Sequence, residues 1–249
     1  MSFQKQCLVL LMFATLVAVG SASAGSCSDA TLNGVWGYTS SGFGGDGTPR
    51  AAVGQATADG NGNITGSETK SKDGTILTVT FTGTYSVAKN CTGSLTVTQQ
   101  DGTTKNANFV FDDSKKGFQV IQTDSGHVDA GFGLAQGTVT CGLTGKKATF
   151  AANLSGTDNG VGPVAGVAQV ILDGKGNISG TETYSLNGTI GTASLSGTYT
   201  ENANCTGTAQ ITTQGVGTGN FNFVIVNGGK EFLLIQTDNN TIVSGTLQQ

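Results

Sequence analysis

The sequence predicts an all-β protein built as two tandem eight-stranded antiparallel up-and-down barrels, with β-sandwiches as the alternative. Three observations carry this expectation. A shift of 114 residues lays the chain on itself without a gap from Cys27 to the C-terminus, so that Asp59-Gly60-Asn61-Gly62-Asn63-Ile64 falls on Asp173-Gly174-Lys175-Gly176-Asn177-Ile178. Each copy holds eight short runs in which apolar residues alternate with Thr or Ser between Gly/Asn/Asp clusters, and no stretch carries a helical period of useful length. The connections are hairpin-sized, as at Asp173 to Gly176 and Asn227-Gly228-Gly229, so successive runs pair as a meander. Closing eight such strands removes the exposed edges of an open sheet, and short connections disfavour the long crossings of a Greek-key sandwich.

In chain order, residues 1–24 read as a signal peptide: Lys5 is the positive n-region, Cys7 to Gly20 the apolar core, and Ala22-Ser23-Ala24 before Gly25 the cleavage site. The core is short for a membrane span, and no later stretch is apolar for long enough. The expectation is a secreted protein, extracellular or held in the periplasm or cell envelope. Residues 25–136 form the first repeat, 137–140 a linker and 141–249 the second.

Of the three connectivities open to four cysteines, the equal separation of 64 residues in the two copies favours Cys27 with Cys91 and Cys141 with Cys205. Export supplies the oxidising conditions, and the absence of CxxC pairs argues against a zinc site.

In the second copy the runs fall near Ala148 to Ser155, Val164 to Leu172, Asn177 to Ser185, Ile190 to Thr200, Cys205 to Thr213, Gly219 to Val226, Glu231 to Thr237 and Thr241 to Leu247. On the fourth run of the first copy Leu77, Val79, Phe81, Gly83 and Tyr85 share the inner face. Of their counterparts, Gly191, Ala193 and Leu195 are smaller and Gly197 and Tyr199 unchanged, while Ala107 becomes Phe221 on the sixth run. Volume lost on one strand is partly returned on another, as a filled interior requires. The runs Phe221 to Val226 and Leu233 to Ile235 are apolar on both faces, which predicts a barrel-to-barrel or homo-oligomer contact.

Without Lys5 there are eleven basic residues against sixteen acidic ones and no basic run, so nucleic acid is a poor partner. Thr, Ser and Asn on one face of most strands, with 7% aromatic residues, argue against an outer-membrane barrel. The Asp59 loop has the oxygen-rich start of a calcium loop, but Lys175 occupies the central ligand position in the second copy and no bidentate glutamate follows. It reads as a turn. Asn63, Asn90, Asn177 and Asn204 open Asn-x-Thr/Ser sequons and read as turn residues. No metal and no cofactor is expected.

Glu68 and Glu182 lie on the inner face of the third run, and Gln122 and Gln236 on that of the seventh. A glutamate and a glutamine in a barrel mouth can orient a polar ligand. They can equally satisfy one another, Tyr85 or Tyr199, or backbone. With Trp36 and its counterpart Phe150, these residues form the candidate ligand set. No catalytic residue is assigned, because the single histidine, His127, becomes Thr241 in the second copy.

The segment Gly34-Val35-Trp36 resembles the Gly-x-Trp of the calycins, the lipocalin and avidin-like barrels that hold small ligands at one end. The resemblance implies that the tryptophan packs across the barrel's base. The repeated module, Asp-Gly-x-Gly-Asn-Ile-x-Gly-x-Glu-Thr followed by Gly-Thr-Tyr, Asn-Cys-Thr-Gly, Phe-Val and Ile-Gln-Thr-Asp, resembles uncharacterised secreted tandem repeats of acidobacterial-type soil bacteria, a family that implies no activity.

Three functions follow as expectations. The first is a non-catalytic exported module whose barrels bind a small apolar or weakly polar ligand. The second is a structural or adhesive envelope protein with filled barrels, its Thr-rich surface meeting glycans or neighbouring copies. The third is an isomerase-type enzyme using Glu68 and Glu182 at the barrel mouths. Cavity volume separates the first two: ligand pockets run to about 300 Å3 or more, and an interior below about 100 Å3 excludes a ligand.

Overall fold

The computed structural model describes residues 26–137, 141, 143 and 145–249; the expected signal peptide and most of the expected linker lie outside them. Strands β1 (Gly34–Phe43), β2 (Pro49–Ala58), β3 (Asn63–Lys72), β4 (Thr75–Val87), β5 (Thr92–Gln99), β6 (Thr104–Phe111), β7 (Gly117–Gln122) and β8 (Val128–Ala135) form one closed barrel. The second contains β9 (Ala148–Asp158), β10 (Gly162–Leu172), β11 (Asn177–Leu186), β12 (Thr189–Glu201), β13 (Thr206–Thr213), β14 (Gly217–Val226), β15 (Glu231–Gln236) and β16 (Thr241–Gln248). Every strand pairs antiparallel with the next, and β1 with β8 and β9 with β16 close the rings. The sandwich alternative is thereby excluded.

Alternation sets the inside. On β4 Val79, Phe81 and Tyr85 are buried while Thr78, Thr80, Thr82 and Thr84 are exposed; Leu77, at the strand's start, is 42% exposed. The β2–β3, β4–β5 and β6–β7 hairpins lie at one end of the first barrel, which a short 3-10 turn, Asp29–Leu32, caps. Trp36 Nε1 donates to the Leu32 carbonyl at 2.7 Å, Tyr85 Oη to the Asp29 carbonyl at 3.0 Å, and the Val87 N–H to Asp29 Oδ1 at 2.7 Å. This end is the base. The opposite end, at the β1–β2, β3–β4, β5–β6 and β7–β8 connections, is the mouth.

Both expected disulfides are present, Cys27 to Cys91 and Cys141 to Cys205. The sequence's calcium-like loop is a self-satisfied turn. Asp59 Oδ1 accepts the N–H groups of Asn61 and Asn63 at 2.7 and 2.9 Å, and Oδ2 accepts Asn63 Nδ2 at 2.7 Å. Asp173 repeats the pattern with Lys175 and Asn177. Gly60 and Gly62, at φ 76° and 99°, supply the left-handed backbone that wraps the loop around the carboxylate. Asn90 and Asn204 likewise accept the backbone N–H and hydroxyl of Thr92 and Thr206, which gives the Asn-x-Thr pattern a turn role.

The barrels lie side by side. Ala51 and Val53 of β2 pack with Val224, Val226, Leu233, Ile235 and Ile242 of β14 to β16, and Phe132 and Leu134 of β8 adjoin them. This is why β14 and β15 are apolar on both faces: Phe223 and Phe232 fill their own barrel while Val226, Leu233 and Ile235, all 0% exposed, face the other. Gly37 permits the close approach, since a Cβ there would stand 2.4 Å from Val226 Cγ1. Near the bases, Gln136 Nε2 donates to the Ile225 carbonyl at 3.0 Å and Gln55 Nε2 to that of Asn204 at 2.6 Å. Near the mouths, the Asn240 N–H reaches the Gly74 carbonyl at 2.8 Å and Asn159 Nδ2 that of Asp73 at 3.2 Å. Base therefore meets base, and both mouths open on the same end of the molecule.

Candidate functional site

The two barrels share strand positions but not interiors. In the first, Glu68 on β3 is 6% exposed and saturated by protein donors. Tyr38 Oη donates to Oε2 at 2.9 Å, and Gln99 Nε2 and Lys105 Nζ to Oε1 at 2.7 and 3.0 Å. Lys70 Nζ donates in turn to Gln99 Oε1. Burial, with the Glu68 carboxylate next to it, holds the Tyr38 hydroxyl well above the usual phenol range, so it remains a donor. Burial, and then the Lys105 ammonium, lowers Lys70 against the pull of Glu68. What remains open is a cavity of about 130 Å3 between Trp36, Tyr38, Phe81, Phe109 and Phe118.

In the second barrel the carboxylate stays and its partners go. Tyr38 corresponds to Ala152, Gln99 to Thr213, Lys105 to Gly219 and Lys70 to Tyr184. Glu182, partly buried, lines a cavity of about 410 Å3 with Leu154, Gly166, Val170, Ile211 and Phe221. A Cβ on Gly166 would lie 3.9 Å from Glu182 Oε2, so the carboxylate hangs over a bare stretch of β10 where the first barrel has Ala52. Glu182 makes no hydrogen bond or ion pair with the described residues. The mouth changes in the same direction: Ser40, Arg50 and Asp129 of the first barrel become Leu154, Val164 and Val243.

The glutamines do not pair with the glutamates. Gln122 Nε2 donates to Asp124 Oδ2 at 2.8 Å and Gln236 Nε2 to Asp238 Oδ2 at 2.9 Å. Burial raises these two carboxyls, but the donors of Asn106 and Gln122, or of Gln236 and Asn220, outweigh it and leave both below the ordinary value. Gln122 and Gln236 nevertheless border the cavities.

Trp36 floors the first cavity, its ring centroid 5.4 Å from Phe118 and 5.9 Å from Phe111. Its counterpart Phe150, 1% exposed, packs edge-on to Phe232 at 5.1 Å and stays out of the second cavity's wall. Tyr85 is likewise used at the base, in the bond to Asp29, and does not border the first cavity. Tyr199 does border the second, with its buried hydroxyl unpartnered.

Tyr38, Gln99 and Lys105 were absent from the set expected from sequence. Strand parity would have found them, since they share the inner faces of β1, β5 and β6 with Trp36, Val97 and Phe109, and all three are lost together in the second copy. A paired change shows that Tyr38 is fitted to the strand beneath it. The Tyr38 ring lies on Gly54, where a Cβ would come within 2.5 Å of Cζ; in the second copy Tyr38 becomes Ala152 and Gly54 becomes Ala168. Gly54→Ala is expected to cost about 2 kcal/mol by overpacking. Adding Tyr38→Ala should cost less than the two single losses combined, as read by urea denaturation; strict additivity would overturn the coupling.

Among the described residues no helix is long and apolar enough to cross a membrane, and no group of three or more His, Cys, Asp or Glu is placed to hold a metal ion. No family model and no curated protein matches the chain. Among solved structures it is similar to transferrin binding protein B from serogroup B Neisseria meningitidis, at 10% identity over 87% of this chain and 74% of that one, with a TM-score of 0.37. It is also similar to kievitone hydratase from Nectria haematococca, at 8% identity over 94% of each chain and a TM-score of 0.31. A third likeness is to immune modulator A of Aeromonas veronii, at 12% identity over 87% of this chain and 94% of that one, with a TM-score of 0.25. At these identities and scores the likenesses say nothing about activity.

Proposed function

We propose that the protein is a secreted, non-catalytic binding protein whose second barrel holds a small, largely apolar ligand and whose first barrel is a filled scaffold. The observation that carries this reading is the cavity of about 410 Å3 in the second barrel beside one of about 130 Å3 in the first. Only the second reaches the volume of ordinary ligand pockets, roughly 300 Å3 or more. Its lining is apolar apart from a few polar groups, the usual composition of a small-molecule site. Two disulfides fit an oxidising compartment outside the cytoplasm, and the Gly-x-Trp resemblance of the first barrel supports a calycin-like relationship. Glu68 is fully engaged by protein donors, and Glu182 makes no hydrogen bond or ion pair with a described acid or base, which supports binding over proton-transfer chemistry.

The test is titration with N-phenyl-1-naphthylamine, an uncharged apolar fluorophore. One equivalent per chain is expected to bind with enhanced emission. The double variant Ala152→Tyr/Ala168→Gly, which installs the first barrel's aromatic on its glycine, should abolish the signal with little change in melting temperature. Unchanged binding by that variant would place the probe elsewhere and overturn the reading.

A further inference from the structure

In the first barrel a lysine side chain already behaves as a bound alkylamine. Lys105 projects from β6 into the interior, its stem bordering the cavity and its ammonium 3.0 Å from Glu68 Oε1. The corresponding residue on β14 is Gly219, so the second barrel keeps the carboxylate, loses the tethered amine and gains cavity volume. Tyr38 and Gln99, which neutralise the rest of the Glu68 carboxylate's demand, are absent there as well. The charged residues lining the second cavity are Glu182 and Asp158, both acidic, with no Lys, Arg or His among its walls.

We propose that the ligand of the second barrel is an aliphatic or arylalkyl amine, bound as its ammonium ion. Its apolar body lies between Leu154, Val170, Ile211 and Phe221, and its ammonium donates to Glu182 in the place that Lys105 fills opposite Glu68. This rests on the proposed binding role and narrows it to a chemical class. A carboxylate in a partly buried, apolar wall gains most from a partner carrying both the opposite charge and N–H donors. An anionic amphiphile such as a fatty acid would instead meet two like charges and no counter-ion. The first cavity's wall holds one cation, Lys105, beside Glu68 and Asp129, so the loss of that lysine leaves the second cavity's carboxylates with no cation in their wall.

The experiment is isothermal titration calorimetry on the full exported chain with octylamine, 1-octanol and octanoate at neutral pH and low salt. Octylamine is expected to bind about tenfold or more tightly than octanol, with octanoate the weakest. Glu182→Gln should bring octylamine to the level of octanol and leave octanol unchanged. Gly219→Lys should abolish binding of both by supplying the amine from within. A Cβ at that position meets only side-chain ends, Phe221 Cε2 at 3.1 Å and Gln236 Nε2 at 3.3 Å, that can move aside. Octanol binding as tightly as octylamine would overturn the amine assignment and leave the pocket standing. A preference for octylamine that survives Glu182→Gln would overturn the role of Glu182. Binding of none of the three would overturn the pocket reading itself, and the amine with it.

Discussion

Lys105→Met is expected to destabilise the first barrel by about 3 kcal/mol, the cost of leaving a buried carboxylate without its cation. Glu68 is 6% exposed and the Lys105 side chain 28%, so the pair is too shielded for the near-zero worth of a surface ion pair. Tyr38 and Gln99 still donate in the variant, which keeps the loss at the lower end of the range for broken buried pairs. The double variant Glu68→Gln/Lys105→Met removes both charges and should recover most of the stability, because the amide oxygen still accepts from Gln99 while its NH2 donates to the Tyr38 hydroxyl oxygen. Urea unfolding of the two single variants and the double one closes the cycle. A Lys105→Met loss below about 1 kcal/mol would mean that water reaches the pair and screens it. Glu182→Gln provides the contrast, expected to change stability by less than about 0.5 kcal/mol because no protein partner is lost.

That contrast also marks what could be read before the structure. The barrel architecture, both disulfides and the strand order were legible because each depends on a local signal doubled by the repeat: alternation, turn chemistry and equal cysteine spacing. The inward glutamates were legible for the same reason. Their different surroundings were not, because Tyr38 reaches Glu68 across β2, where both stand opposite Gly54, while Gln99 and Lys105 reach it from β5 and β6, so the cluster depends on the register of several strands at once. Residues matched between the copies report the scaffold. The unmatched positions, Lys105 against Gly219 and Tyr38 against Ala152, are what distinguish a filled interior from an open one. The glutamines misled in another way: Gln122 and Asp124 are two residues apart at a strand end, and this local bond wins over a cross-barrel partner.

Leu233→Asp is expected to cost about 4 kcal/mol and to separate the barrels without unfolding either. Leu233 points out of its own barrel and is 0% exposed only because the first barrel covers it. Its Cδ1 lies 3.4 Å from where a Cβ on Gly37 would be, so a carboxylate there has neither a cation nor water unless the contact opens. The expected calorimetric trace splits into two transitions while the far-ultraviolet circular dichroism keeps its β signature. Gln119 occupies the same position in the first barrel, exposed to solvent, so Gln119→Asp should shift stability by less than about 0.5 kcal/mol. A single transition with a loss no larger than this control would show that the barrels do not stabilise one another. The joined faces are different faces of the module, β1, β2 and β8 of one against β14 to β16 of the other. A contact of this heterologous kind could in principle extend from chain to chain. Asp112 and Gln119 stand in the first barrel where the second has Val226 and Leu233, and Thr246 and Gln248 stand where the first has Phe132 and Leu134. Val110, Ile121 and Val128, all exposed, keep the apolar character of their counterparts Val224, Ile235 and Ile242, so the polar replacements interrupt this face of the first barrel without removing it, and a charge at position 233 extends the same interruption to the joined pair.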